Sequence, residues 1–332
     1  MPKILIVRLS SIGDIILTTP VIRCIKKQIP DAEIYYLTKY QFSDVIYNNP
    51  YLSGFYYLQD NVEQVKTQLK NIGFDYVVDL HKNFRTWRIR RNLKGKKISF
   101  QKLNVEKWLL TNFKVNRLPH KHIVDRYFES VARMGVINDG EGLDFFISAH
   151  DEVDVQEGFP TEFASGYIVF VIGAKHATKQ LPTEKVISIC KKIDAPVMLV
   201  GGTEDKKRGA EIATSAGNHV VSTCGKYTLG QSASVIKQAE LVITHDTGLM
   251  HIAAALNKRI ISVWGNTVPE FGMYPYLPQG SIPFSIVEVK NLKCRPCSKI
   301  GYKKCPRSHF KCMNDIDEAE IINLVNEQAL MQ

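Results

Sequence analysis

Short apolar runs alternate along this chain with stretches in which apolar residues recur every three or four positions. The first pattern is that of a buried strand and the second that of a helix with one face inward. In the first half the pattern predicts strands near residues 3–9, 33–38, 75–80 and 143–147, with helices near 14–28, 60–72, 83–93 and 121–134. In the second half it predicts strands near 167–172, 196–200, 219–222, 240–243 and 259–264, with helices near 183–193, 204–216, 228–238 and 247–257. Such alternation argues for parallel sheets covered by helices on both faces. Between the halves, Ser148 to Gly166 carries five acids, a proline and two glycines with little periodicity, and reads as a linker. The expected domains are residues 1–155 and 160–315, followed by a C-terminal helix within 316–332. No short fixed period recurs, which excludes a solenoid.

Two of the strand-to-helix handovers carry candidate chemistry. Leu241-Val242-Ile243 runs through Thr244-His245-Asp246-Thr247-Gly248 into a helix whose apolar positions are Leu249, Ile252, Ala253 and Leu256. Thr244, Asp246 and Thr247 are cap-type residues, and Gly248 lets a ligand approach the backbone. A helix opened in this way offers free N–H groups and a positive dipole end, which favour a phosphate. The same residues would also serve as an ordinary cap, and both readings stand. Near the N-terminus, Lys3 to Val7 leads into Arg8-Leu9-Ser10-Ser11-Ile12-Gly13-Asp14, so Asp14 falls where a first strand hands over to a first helix. Ligands of open α/β sheets bind at that edge. The turn has one glycine where a dinucleotide fingerprint needs three, which argues against a dehydrogenase. Asp14 can equally be an acid in a helix's first turn, stabilising the dipole.

Composition narrows the class. The chain has 332 residues, is 45% hydrophobic and contains no run of ~18 apolar residues, the length that spans a bilayer. Met1-Pro2-Lys3 leads straight into a strand too short for a signal-peptide core, so cytoplasmic residence is expected, with peripheral contact at the inner membrane face. Seven cysteines, an odd number with no secretory context, do not suggest a disulfide framework. Charge is unevenly placed. Leu80 to Val105 holds nine Lys or Arg and Val289 to Asn314 holds eight, with no acid in either. Against a chain total of +10, those seventeen cations leave −7 for the remainder, so both patches point to anionic partners rather than a generally basic surface.

Several segments resemble the ADP-heptose:lipopolysaccharide heptosyltransferases of glycosyltransferase family 9. They are Arg8 to Asp14 with Thr19-Pro20, Lys179-Gln180-Leu181-Pro182, Asp246-Thr-Gly-Leu-Met-His251 with Val263-Trp264-Gly265-Asn266-Thr267, and the tail around Cys294-x-x-Cys297, Cys305-Pro306 and Cys312-Met313. They occur in the family's order along nearly the whole chain. The resemblance implies a GT-B fold, two doubly wound Rossmann-like α/β domains facing a cleft, with the acceptor on the first and a nucleotide-sugar donor on the second. It also implies that the last helix, about Ile316 to Gln328, returns to the N-terminal domain. Transfer with inversion then needs a base for the acceptor hydroxyl, and Asp14 is the candidate. On the donor side the resemblance points to Lys179, Asp246, Thr247, Gly248 and His251, and to Glu204 or Asp205 for the ribose. His251 also reads as a core residue of an apolar helix.

On the acceptor side it points to Ser11, Gly13, His81, Lys82, Arg85, Arg88 and Arg126, with His120 and Asp125 beside the last. His81, Arg85 and Arg88 stand at i, i+4 and i+7, hence on one helical face. An anionic lipopolysaccharide core would suit them. Basic and aromatic residues also interleave here as nucleic-acid binders do, but no nucleic-acid motif surrounds them. No cofactor is expected. The only Asp-x-Asp, Asp315-Ile316-Asp317, reads as a helix cap, which favours transfer without a metal. Cys294, Cys297, Cys305 and Cys312, with His309 as a competitor, could hold a structural zinc or be a basic loop of reduced thiols. The expected activity is heptose transfer. The alternatives are a family member with another donor and acceptor, or a non-catalytic protein that binds nucleotide sugars or anionic glycans.

Overall fold

The computed structural model describes residues 1–59 and 61–329. The chain divides into two compact units, one made of Met1–Leu103 and Lys121–Phe146, the other of Asn104–His120 and Ile147 onward. In the first unit, β1 (Lys3–Val7), β2 (Glu33–Lys39), β3 (Gly54–Leu58), β4 (Tyr76–Asp79) and β5 (Lys96–Ser99) form a parallel sheet in the order β3-β2-β1-β4-β5. Ile4, Leu5 and Ile6 are fully buried, as a central strand covered on both faces requires. Leu5, Val7, Leu37, Leu69, Val77 and Ile89 join sheet and helices into one core.

The second unit repeats the plan. Its strands β6 (Ile168–Val171), β7 (Val197–Val200), β8 (Val220–Ser222), β9 (Leu241–His245), β10 (Arg259–Trp264) and β11 (Ser285–Glu288) are parallel in the order β11-β10-β9-β6-β7-β8. Both sheets reverse their winding once, between β1 and β4 in the first and between β6 and β9 in the second. The loops leaving those strands part in opposite directions and open a crevice at the carboxyl edge, where doubly wound sheets bind ligands.

Several expectations are corrected. The first helix is two, Ile12–Ile16 and Thr19–Gln28, because Pro20 has no N–H to offer and the Thr19 hydroxyl takes the Ile16 carbonyl at 2.7 Å. No strand forms at 143–147, where the Asp144 N–H goes to the Thr19 hydroxyl at 2.9 Å instead of to a ladder. The helix expected over 60–72 spans Val62–Lys70, and Asp60 lies outside the described residues. The segment 148–166 is not a free linker. Asp151 accepts from Thr228 at 2.8 Å, Glu152 from Ser234 at 3.0 Å, and the Val153 N–H donates to Ser234 at 2.9 Å, which ties it to the helix Leu229–Gln238.

The last helix, Glu318–Ala329, is also placed differently, and residues 330–332 of the expected segment lie outside the described residues. Its Ile321 and Val325 enter the core of the second unit, and Glu318 bonds Ser188 and Lys192 on the helix Thr183–Lys192. A helix from the first half, Asn104–Phe113, joins the second unit instead. Lys107 sits 5.9 Å over the Phe271 ring, and Lys114 donates to the Pro296 carbonyl at 2.7 Å.

The first unit also depends on a buried charge cluster. Arg23 is 2% exposed, and its Nε and Nη2 bond Asp139 at 2.9 and 2.8 Å while Nη1 pairs with Asp144. Removing one partner of a buried pair strands the other charges and costs about 3–5 kcal/mol. Arg23→Met is therefore expected to lower the stability of the intact protein by about 3 kcal/mol, at the low end because Asp139 is partly exposed. Urea unfolding checks this, and a loss below about 0.5 kcal/mol, the usual size of a neutral surface change, would show that the carboxylates find water instead.

Candidate active site

At the β1/β4 crevice the sequence lays down two loops. Arg8 follows β1 and its guanidinium is the hub of the first loop. Nε donates to the Ser10 carbonyl at 3.0 Å, Nη1 to the Leu80 carbonyl and to the Tyr127 hydroxyl at 3.0 Å, and Nη2 pairs with Asp14 Oδ1. Asp14 Oδ2 accepts from the Ser11 N–H at 3.1 Å and the Ser11 hydroxyl at 2.9 Å, so the capping role is real. The carboxylate still keeps 23% of its side-chain surface open. Burial opposes the Arg8 charge, but Asp14 and the groups around it more than compensate, and its proton is held even more firmly than usual. Gly13 is buried within the short helix Ile12–Ile16.

The second loop leaves β4 at Asp79, which is fully buried and organises the turn. Its Oδ1 accepts from the His81 and Lys82 N–H groups at 3.1 and 2.7 Å, and its Oδ2 from the Thr86 hydroxyl at 2.8 Å. Lys82 is held at a φ of 51°, the left-handed region, which costs a non-glycine residue about 1–2 kcal/mol. Asp79 holds its backbone there, and its ammonium donates to the Phe100 carbonyl at 2.9 Å. Asn83 then caps the helix Phe84–Arg90 through the Thr86 N–H at 2.8 Å. Between the two loops lies a cavity of about 470 Å³ lined by Leu9, Ser10, Lys39, His81, Asn83, Phe84 and Arg85.

His81, Arg85 and Arg88 do not share a helical face, because the helix begins only at Phe84. His81 and Arg85 line the cavity, whereas Arg88 pairs with Glu63 at 3.0 Å. Burial, with Arg8, Lys102 and Lys39 nearby, pushes the His81 imidazole down to about 3, so it is neutral at physiological pH. Arg126 is buried on the helix Ile123–Val131, while His120 is exposed on the segment that belongs to the second unit. Asp125, on the first turn of that helix, is the remaining member of the segment.

At the β6/β9 crevice of the second unit, Lys179 follows β6 and Asp246 follows β9. Their side chains meet at 2.6 Å, and the Thr267 hydroxyl donates to the same Asp246 oxygen at 2.8 Å. Thr247 caps the helix Gly248–Ala255 in an extended conformation and makes no side-chain cap bond, so the first N–H groups of the helix are left for another acceptor. His251 is buried one turn further on. The loop carrying Lys179 is fixed from two sides. Buried, neutral His245 accepts the Leu181 N–H at 3.0 Å, and Arg208 donates to the Ile172 carbonyl at 3.1 Å and to Gln180 at 3.2 Å. After β7, Asp205 is 4% exposed and folds back on the Gly202 N–H at 3.0 Å. It sits so close to Gly173 that a Cβ there would meet its Oδ2 at 2.2 Å. Glu204 is exposed.

Comparison with known proteins shows the family. Residues 62–303 match the model for glycosyltransferase family 9 (heptosyltransferase), well over half of the chain. The chain belongs to glycosyltransferase family 9. Lipopolysaccharide heptosyltransferase 1 of Campylobacter coli is 24% identical over 98% of both chains. The glycosyltransferase also superposes on a family 9 protein from Veillonella parvula with a TM-score of 0.78 at 20% identity, covering 100% and 98% of the two chains. The ADP-heptose lipopolysaccharide heptosyltransferase II of E. coli gives 0.74 at 18% identity and 99% of each. Its fold is therefore GT-B, with two Rossmann-like units.

Some residues of the glycosyltransferase's sites were not legible beforehand. Lys39 lines the cavity from the end of β2, and the carboxyl-edge rule would have found it. Arg208 acts through tertiary contacts that no spacing encodes, and Thr267, already part of a family-like motif, gains a role only through its contact with Asp246. The Asn266 amide is 1% exposed with neither polar atom bonded, beside Thr267. The cysteine cluster changes character. Cys294 Sγ is 3.7 Å from His309 Nε2, the Cys297 thiol donates to the Cys294 carbonyl at 3.1 Å, and Cys312 belongs to the hydrophobic core. Burial pushes the Cys297 and Cys312 thiols up to about 11 and 12. Among the described residues no group of three or more His, Cys, Asp or Glu side chains is placed to hold a metal ion, those of Cys294, Cys297, Cys305 and Cys312 included. Asp317 does cap, accepting from the Ala319 N–H at 2.9 Å.

Proposed function

We propose that this glycosyltransferase moves a heptose from ADP-heptose onto the inner core of a lipopolysaccharide, with inversion and without a metal at the transfer step. The observation that carries the reading is the division of charge between the two switch points. The first unit offers a carboxylate, Asp14, and the second an ammonium, Lys179, beside an open helix N-terminus. Asp14 takes the proton of the acceptor hydroxyl while that hydroxyl's oxygen bonds the anomeric carbon. The bond from that carbon to the diphosphate breaks on the opposite face, and ADP leaves with the electron pair. Lys179 and the N–H groups of Gly248 and its neighbours meet the charge that develops on the diphosphate. Glu204, the exposed acid of its turn, meets the ribose. Turnover of a panel of nucleotide sugars with a heptose-accepting core tests the assignment. Transfer from a UDP-hexose and none from ADP-heptose would replace the donor.

The acceptor's Kdo carboxylates and lipid phosphates need cations, and Lys39 and Arg85 are the ones on the cavity wall. Lys39→Gln with Arg85→Gln is expected to raise the acceptor KM about tenfold and flatten its salt dependence, with donor KM unchanged, as lost exposed charge contacts would do. Arg88→Gln, already neutralised by Glu63, serves as the control and is expected to have little effect. Equal effects of the two changes would return the whole segment to a solvated face. Among the described residues no helix is long and apolar enough to cross a membrane. Exposed Phe84 stacks on Trp87 beside these cations, which suits contact of a cytoplasmic enzyme with the membrane that carries its acceptor.

A further inference from the structure

Arg8 has no role in the transfer as described so far, yet it is as firmly anchored as the buried Arg23. Arg8 is 8% exposed, and every arm of its guanidinium is engaged: Nε by Ser10, Nη1 by Leu80 and Tyr127, Nη2 by Asp14. These anchors come from the turn after β1, the end of β4 and the helix Ile123–Val131, so three elements fix the plane of one fork. A structural ion pair would gain as much from a looser cation. A fork clamped on three sides presents its last N–H groups in one direction, and that direction ends on Asp14.

We propose that Arg8 is a positioning residue for the transfer: it holds the Asp14 carboxylate in one orientation and keeps it ionised while the acceptor hydroxyl approaches. The inference rests on the reading of Asp14 as the base. Ser11 fixes the other carboxylate oxygen, so Arg8 and Ser11 together leave the carboxylate one way to face.

His81 is neutral. Tyr36 and Tyr127 are phenols whose burial pushes them up, Tyr127 to about 12. Asp79, an anion, is engaged by its own turn and by Arg90 at 3.5 Å. Lys39 lines the cavity, and Arg126 donates to the Gln101 carbonyl at 3.5 Å. Arg8 is in direct contact with the carboxylate. An adjacent arginine holds a carboxylate's proton affinity down by about 1–3 pH units, and a misplaced reacting group can cost about 10²-fold in rate.

The test is the pH profile of the intact enzyme with saturating donor. Arg8→Gln is expected to move the acid limb of kcat/KM for the acceptor upward by about one pH unit or more and to lower kcat about 10–100-fold, with ADP affinity unchanged. Arg8→Lys keeps a charge without the fork. It is expected to leave the acid limb in place and still lose about tenfold in kcat. A folded Arg8→Gln whose acid limb does not move overturns the proposal, since a purely structural loss scales the profile without shifting it. If Arg8→Gln does not fold, Arg8→Lys decides, and wild-type kcat in that variant overturns it. Asp14→Asn is measured in parallel. Retained turnover there would remove the base and Arg8's role with it, whereas an inactive Asp14→Asn beside an unmoved limb would remove Arg8 alone.

Discussion

Asp14→Asn is expected to lower turnover by about 10²–10⁴-fold, the usual contribution of a general base, while the fold and ADP affinity hold. Asparagine keeps the shape and can still accept from the Ser11 N–H and hydroxyl, so the helix start is preserved. What it cannot do is take a proton at physiological pH. ADP affinity is expected to hold because the nucleotide is assigned to the second unit. The neighbouring imidazole offers no substitute, since a group that protonates near 3 is a weak base and its Nδ1 is buried. Steady-state kinetics with calorimetric ADP titration checks both parts. Turnover within a few-fold of wild type would take Asp14 out of the mechanism.

The second large effect is expected from Lys179→Met, which removes the cation assigned to the leaving diphosphate. Loss of one preorganised donor to developing charge costs about 10²–10³-fold in kcat. Here Asp246, only 14% exposed, would also be left as an uncompensated anion where the diphosphate must sit. ADP affinity should therefore fall while adenosine affinity does not. An equal loss for both ligands would mean that the change damages the nucleoside pocket or the loop rather than the phosphate contact. Transfer by the wild type is expected to survive EDTA. Loss of activity that magnesium restores would replace Lys179 as the main charge acceptor.

The fold class was legible because both units bury their central strands on both faces, and such strands write themselves as uninterrupted Ile, Leu and Val. Three of the four edge strands were not, Val220–Ser222 being the exception. Lys96–Ser99 carries two exposed lysines and reads as part of a basic patch, and Ser285–Glu288 follows a proline-rich stretch. Their pairing comes from a neighbour, not from their own pattern. The site motifs were legible where a strand hands over directly to a helix, at Asp14 and at Asp246-Thr247-Gly248. Where the turn is longer, as after β4, helical spacing was applied to His81 before the helix begins, and its supposed alignment with Arg88 failed. Arg8 was visible as part of a motif, but only tertiary contacts with Leu80 and Tyr127 show what it does.

The helix Asn104–Phe113 bears on how the chain is made. Because it belongs to the second unit while 121–146 belongs to the first, the backbone passes between the units three times. During synthesis the first unit can close once Phe146 has emerged. At that moment the helix and the turn after it still lack Phe271 and Pro296, the partners of Lys107 and Lys114, which lie more than a hundred residues downstream. At about 5–20 residues per second the ribosome takes roughly 6–30 seconds to deliver them, a window in which an unpaired helix invites a chaperone or a neighbouring chain. A truncation after residue 146 makes that waiting state permanent. A soluble first unit is therefore better made by replacing 104–120 with a short flexible link than by a single cut.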